Sequence, residues 1–191
     1  MILEGIVTTL NADGIPNISP MGPRVEDCSG QSIQSFVLSP YQTSTTYRNL
    51  KRAGEGILHI TDDVELLARS AVGQPDPLPP LIPADAVKGM ILAEACRWYA
   101  FRVAELDDRE PRTKIACNVV DRGRQRDFFG FNRAKHAVLE AAILATRIEF
   151  LPAATITAEM ERLSVVVDKT AGEQERRAFS FLQAHIRERL R

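Results

Sequence analysis

The chain has 191 residues, 45% hydrophobic and 26% charged, with a net charge of −1; it can bury one core with an appended element and exerts no global pull on nucleic acid or an anionic membrane. Cys28, Cys96 and Cys117 are widely spaced and form no C-x-x-C pair, which argues against a disulfide framework and a zinc site and fits a reducing cytoplasm. The opening segment has no basic stretch and Glu4 breaks its apolar run, and no segment approaches the ~18 apolar residues of a membrane span, so neither a signal peptide nor a membrane anchor is expected.

The first third reads as successive antiparallel hairpins. Ile6–Leu10 is rich in β-branched residues, and Asn11-Ala12-Asp13-Gly14 follows as a tight turn. The next strand, from Ile15 to Met21, carries Pro16 and Pro20, which confine it to a sheet edge or a bulged position. Asp27-Cys28-Ser29-Gly30 is a second predicted turn, and Gln31–Ser39 a third strand around Phe36, Val37 and Leu38.

A hydroxyl-rich loop, Ser39-Pro40-Tyr41-Gln42-Thr43-Ser44-Thr45-Thr46, then runs into a short helix over Tyr47–Arg52, stopped by Gly54. Gly56–Thr61 is a strand and Val64–Val72 a helix closed by Gly73. Residues 74–83 hold five of the eleven prolines, a composition that predicts a semi-rigid extended connection. Strands resume over Arg97–Leu106 and Thr113–Val120, the latter with Asp121-Arg122-Gly123 as its turn.

From Arg133 the pattern is helical. Ala134, Val138, Ala141, Ala142 and Ala145 share one small-residue face, and Ile156–Val167 and Glu173–Leu190 are two further amphipathic helices. In the last, Phe179, Leu182, Ile186 and Leu190 mark the buried stripe. The fold class expected is mainly β with α: a β-barrel over 1–131 and a helical extension, 132–191, packed on it.

Two places carry the chemistry of an anion site. Thr43, Ser44, Thr45 and Thr46 stand at a predicted helix N-terminus, where unpaired N–H groups and the helix dipole favour a phosphate and hydroxyls add directed donors. The alternative is that Thr43 or Ser44 simply caps the helix. The second place is the helix start at Asn132, Arg133 and His136, inside a stretch (109–135) with eight Lys/Arg against three Asp/Glu, a balance of +5. Cations there oppose the macrodipole unless an anion is near; the alternative is a solvated turn. His59 interrupts an apolar strand, as a satisfied core histidine often does. No H-x-H or H-x-x-x-H pair, G-x-S-x-G, P-loop or G-x-G-x-x-G is present, so metal, hydrolase, P-loop and Rossmann readings lose their local signatures.

Ile2-Leu3-Glu4-Gly5-Ile6-Val7-Thr8-Thr9, Pro16-Asn17-Ile18-Ser19-Pro20-Met21-Gly22, Ser44-Thr45-Thr46-Tyr47-Arg48-Asn49-Leu50, Asn132-Arg133-Ala134 and Lys169-Thr170-Ala171-Gly172 together resemble the family known as domain of unknown function 447, across nearly the whole chain. That family looks like a branch of the flavin-reductase-like split β-barrels, which bind FMN at a homodimer interface. The resemblance implies that Ser39 and Thr43–Thr46 hold the FMN phosphate and that Asn49 lies near the ribityl chain or ring edge. It also implies that the Met21-Gly22 backbone faces the pyrimidine side and that His59 stands near the ring. Because a flavin carries the hard chemistry itself, three functions remain open: a flavin-dependent oxidoreductase acting on a small, anionic ligand, a non-catalytic flavin-binding or assembly protein, and a cofactor-free interaction module.

Overall fold

The computed structural model describes residues 1–26 and 32–190. The turn expected at 27–30, the start of the third strand at Gln31, and Cys28 lie outside them. The chain divides into two compact units: Met1–Thr61 with Asp76–Phe128, and Asp62–Pro75 with Phe129–Arg191.

The first unit is a wholly antiparallel sheet in the order β2-β1-β4-β7-β8-β3, built from β1 (Gly5–Leu10), β2 (Pro16–Met21), β3 (Ser35–Leu38), β4 (Glu55–Ile60), β7 (Arg97–Asp107) and β8 (Lys114–Arg124). The proline-bearing β2 stands at one end of that order, as its missing N–H donors require. The two ends are drawn together where Arg24, just past β2, exchanges backbone bonds with Val37 of β3 at 2.8 and 2.9 Å. That contact closes the sheet into a barrel. Its interior holds Val7, Leu38, Leu58, Phe101 and Ile115, all fully buried, with Phe36 and Phe101 edge to face at 5.1 Å. Burial of each such side chain contributes roughly 1.5–3 kcal/mol.

Helix α1 (Thr45–Ala53) lies between β3 and β4, two residues longer at its start than predicted, with Ser44, one of the two expected caps, as its N-cap. Gly54 ends it at φ 69°, donating its N–H to Leu50, a left-handed position that a side chain would strain.

Two expectations fail. Asp121–Gly123 is not a turn: β8 runs on to Arg124, and Gly123 is needed there because Trp98 of β7 lies flat against it, with indole atoms at 2.5–2.7 Å from where a Cβ would stand. The proline segment is also not wholly a connection, since β5 (Leu81–Pro83) pairs with β6 (Met90–Leu92).

The second unit is helical: α2 (Val64–Val72), α3 (Arg133–Ala145), α4 (Ala153–Thr170) and α5 (Glu173–Arg189). The alanine face of α3 packs with Ile156, Met160, Leu163 and Val167 of α4 and Phe179, Leu182 and Ile186 of α5. Val64 and Ala68 of α2 complete the same cluster. The two compact units part at Phe128/Phe129, and 62–75 groups with the helices, because α2 buries its apolar stripe in their core. Lys135 is held inside this unit by Glu175 at 3.0 Å and the Asp62 carbonyl at 2.6 Å.

Candidate functional site

The N-terminus of α1 is built from one loop and one turn of helix. Ser44 caps it, its hydroxyl accepting from the Tyr47 N–H at 3.2 Å. Among the described residues nothing accepts from the N–H groups of Thr45 and Thr46, the orphan donors of a first turn. Arg48 folds back over that turn, donating to the Thr43 carbonyl at 3.1 Å and the Thr45 hydroxyl at 2.9 Å. An exposed guanidinium thus stands at the positive end of the helix dipole, an unfavourable place for a cation unless an anion joins it. A second guanidinium, Arg112, donates to the Ser39 carbonyl at 3.2 Å and lies over the Tyr41 ring at 5.5 Å. Arg112 also lines a hollow of about 340 Å³ with Asp107, Arg109, Glu110 and Lys114. Free N–H groups, hydroxyls and guanidinium are the donor set that a phosphate monoester takes, so the residues present fit such a group.

The far side of α1 is anchored to the turn after β7. The Tyr47 hydroxyl and Lys51 ammonium both donate to Asp108 Oδ2, at 2.6 and 2.7 Å. Lys51 and Tyr47 hold the Asp108 carboxyl below its usual range, and Asp108 raises the Lys51 ammonium.

The predicted residues sort into two groups. Thr43, Ser44 and Thr45 are exposed or half-buried around the helix start, and Ser39 is half-buried at the head of the same loop. Met21 ends β2 half-buried, with Gly22 exposed after it.

Others face the protein. Thr46 is buried and its hydroxyl accepts from Asn17, so only its backbone N–H points to the helix end. Asn49 is 4% exposed and its amide nitrogen donates to Thr9 and Asn11, so that nitrogen is engaged by the β1–β2 hairpin.

His59 also turns into the protein. It is fully buried; the Leu92 N–H donates to Nε2 at 3.0 Å, so Nδ1 carries the proton and donates to the Ile6 carbonyl at 3.2 Å. Both nitrogens are engaged and burial pushes its pKa down to about 3. It ties strands together and offers no atom to a ligand.

In the helical unit Asn132 Oδ1 caps α3 at Ala134 and Lys135, and Nδ2 donates to the Thr170 carbonyl. Arg133 and His136 are exposed, the imidazole stacked on Phe131 at 6.0 Å. No cluster of metal-ligating side chains occurs among the described residues, nor any helix long and apolar enough to cross a membrane.

Sequence reasoning missed Arg48, Arg112 and Asn17. Arg48 was findable, since it follows Thr45 by three positions and so shares its helical face. Arg112 reaches the loop before α1, and Asn17 reaches α1 itself, only through tertiary pairing.

Residues 3–126 match the N-terminal domain of the family described as protein of unknown function (DUF447), and residues 132–184 match its following segment. No curated protein is significantly similar to the chain. Among solved structures, an FMN-bound protein of the DUF447 family from Methanosarcina mazei superposes with a TM-score of 0.78 at 20% identity, covering 96% of this chain and 94% of that one. An FMN-binding protein from Thermus thermophilus gives 0.54 at 13% identity (64% and 70% covered). The styrene monooxygenase flavin reductase of Pseudomonas putida gives 0.52 at 10% (63% and 77%). The shared fold is that of the flavin-reductase-like split barrels.

Proposed function

The chain belongs to the DUF447 family, and from that premise we propose that it binds FMN, with the flavin's phosphate at the N-terminus of α1. The observation that carries the reading is the donor set there: the unaccepted N–H groups of Thr45 and Thr46, the hydroxyls of Thr43 and Thr45, and the guanidinium of Arg48. A phosphate brings nearly two negative charges and three acceptor oxygens to these donors. The M. mazei relative, FMN-bound and similar over nearly the whole chain, supports FMN as the bearer of that phosphate.

When bound, FMN supplies the electron and hydride transfer. This chain's own residues bind and orient. Arg48 neutralises the phosphate and its bond to Thr45 holds that hydroxyl in place. Ser39 extends the same loop, and the Met21-Gly22 backbone is assigned to the pyrimidine side of the ring.

The reading includes a two-fold dimer, which would cover the second face of the flavin, and a small anionic second ligand. Arg133 and His136, three apart at the start of α3, are the candidates for that ligand's charge.

Mixing the purified protein with FMN tests the binding, through quenching of flavin fluorescence and retention of the ~450 nm band of the cofactor after gel filtration. Anaerobic addition of NADH or NADPH then separates the functions. Bleaching of that band supports an oxidoreductase; a protein that stays yellow with both donors is a flavin carrier.

A further inference from the structure

Asn17 sits on β2 opposite Thr9 and is 4% exposed. Its Nδ2 donates to Thr46 Oγ1 at 3.1 Å and to Thr9 Oγ1 at 3.3 Å. Asn49 donates to the same Thr9 oxygen at 3.0 Å and to Asn11 Oδ1 at 2.9 Å. One helical turn further on, Arg52 donates to the Leu10 carbonyl. Thr46, Asn49 and Arg52, spaced by three, form a single stripe of α1, and all three bond to the β1–β2 hairpin.

These directed bonds add to the apolar seating of the helix by Tyr47 and Leu50. Apolar packing sets how close a helix lies to a sheet, but it is non-directional and leaves rotation and sliding soft. Directed bonds between buried groups fix both, and breaking one leaves a costly unpaired polar atom. On the other side Tyr47 and Lys51 hold Asp108, so the helix is gripped from two directions.

The nearest of these ties to the helix end is Asn17–Thr46. Thr46 is the second residue of α1 and supplies one of its two unaccepted N–H groups outward while its hydroxyl is held inward. Among the described residues, Ser39, Thr43 and Arg48 have no comparable buried support.

We propose that Asn17 is a positioning residue for the anion site: by holding the Thr46 hydroxyl, it sets the rotation of the first turn of α1 so that the N–H groups of Thr45 and Thr46 converge on one phosphate. This rests on the phosphate reading above. In this role Asn17 acts through Thr46.

The test compares FMN with riboflavin, which has the same ring and no phosphate. Wild type should bind FMN at least about a hundredfold more tightly than riboflavin, the scale of two charge-assisted hydrogen bonds. Asn17→Ala should cut that preference about tenfold by weakening FMN alone, riboflavin changing less than about twofold. Thr46→Val removes the same bond and keeps the backbone N–H and the side-chain shape, so it should give the same pattern where Asn17→Ala folds poorly. General loosening of the barrel moves both flavins together. Equal weakening of the two flavins, or no change in either, in the folded variants overturns the role of Asn17 while leaving the phosphate site standing. A wild type that binds riboflavin as tightly as FMN overturns the phosphate reading, and this inference with it.

Discussion

Arg48 donates to the hydroxyl of Thr45 at 2.9 Å, so a side chain from the second turn of α1 returns its positive charge to the positive end of its own helix. The arrangement is unfavourable on its own and favourable around an anion. Replacing Arg48 by Gln should weaken FMN by about tenfold to a hundredfold, the range for a hydrogen bond to a charged group. Without flavin the variant should be as stable as wild type or slightly more so. Fluorescence titration and thermal melting of the apoprotein check the two halves, and a clear loss of apoprotein stability would assign Arg48 to the fold instead.

His59 makes a pH prediction. Its folded pKa is pushed down to about 3 by burial, against about 6.5 for an unfolded histidine. Between those values the unfolded chain binds the extra proton, so the stability is fully present above pH ~6.5 and is lost as pH falls towards 3, with a slope of at most about 1.4 kcal/mol per pH unit from this one group. Denaturant melts at pH 7, 5.5 and 4 measure it. His59→Gln should be less stable at pH 7 and show a shallower fall below it; an unchanged slope would mean that other groups govern acid unfolding.

Asp108 links α1 to the β7–β8 turn through Lys51 and Tyr47. Because those partners lower its pKa, its contribution is present above the ordinary carboxylate range and disappears as pH falls through the lower folded value. Asp108→Asn should therefore lower the melting temperature at pH 7 and converge with wild type in strong acid. A gap that persists there would point to packing rather than charge.

The second-ligand proposal makes a salt prediction. Arg133 is exposed, whereas Arg126, in the same basic stretch, is bonded to the Glu94 carbonyl at 2.7 Å. Arg133→Ala should raise the KM of an anionic ligand at low ionic strength and leave FMN affinity unchanged, the difference shrinking at physiological salt. Kinetics of wild type that ignore ionic strength would remove the proposal.

Much of the fold was readable because local signals and tertiary outcome agree. Pro16 and Pro20 put β2 at the end of the sheet order, Gly54 ends α1, and the alanine face of α3 is buried as its spacing implies. Asp121-Arg122-Gly123 misled because its turn chemistry is overridden by Trp98, which needs a glycine opposite it inside the strand. At the site, the hydroxyl run located the helix end, but spacing alone does not say which way each hydroxyl turns. Thr45 faces out and Thr46 faces Asn17, 29 residues away in sequence, and only the folded hairpin distinguishes them. Asn49 and His59 were polar residues in apolar company, and their partners (Thr9 and Asn11; Ile6 and Leu92) lie on other strands or connections.

The most direct measurement is the affinity for FMN of wild type and of the Ser44→Ala, Thr45→Ala double variant, by fluorescence quenching, alongside their melting temperatures. Loss of the Ser44 cap costs about 1 kcal/mol of stability, so the variant should remain folded while its FMN affinity falls by about tenfold or more. A wild type that does not bind FMN, or a folded double variant that binds it as tightly as wild type, would contradict the assignment of the phosphate to the start of α1.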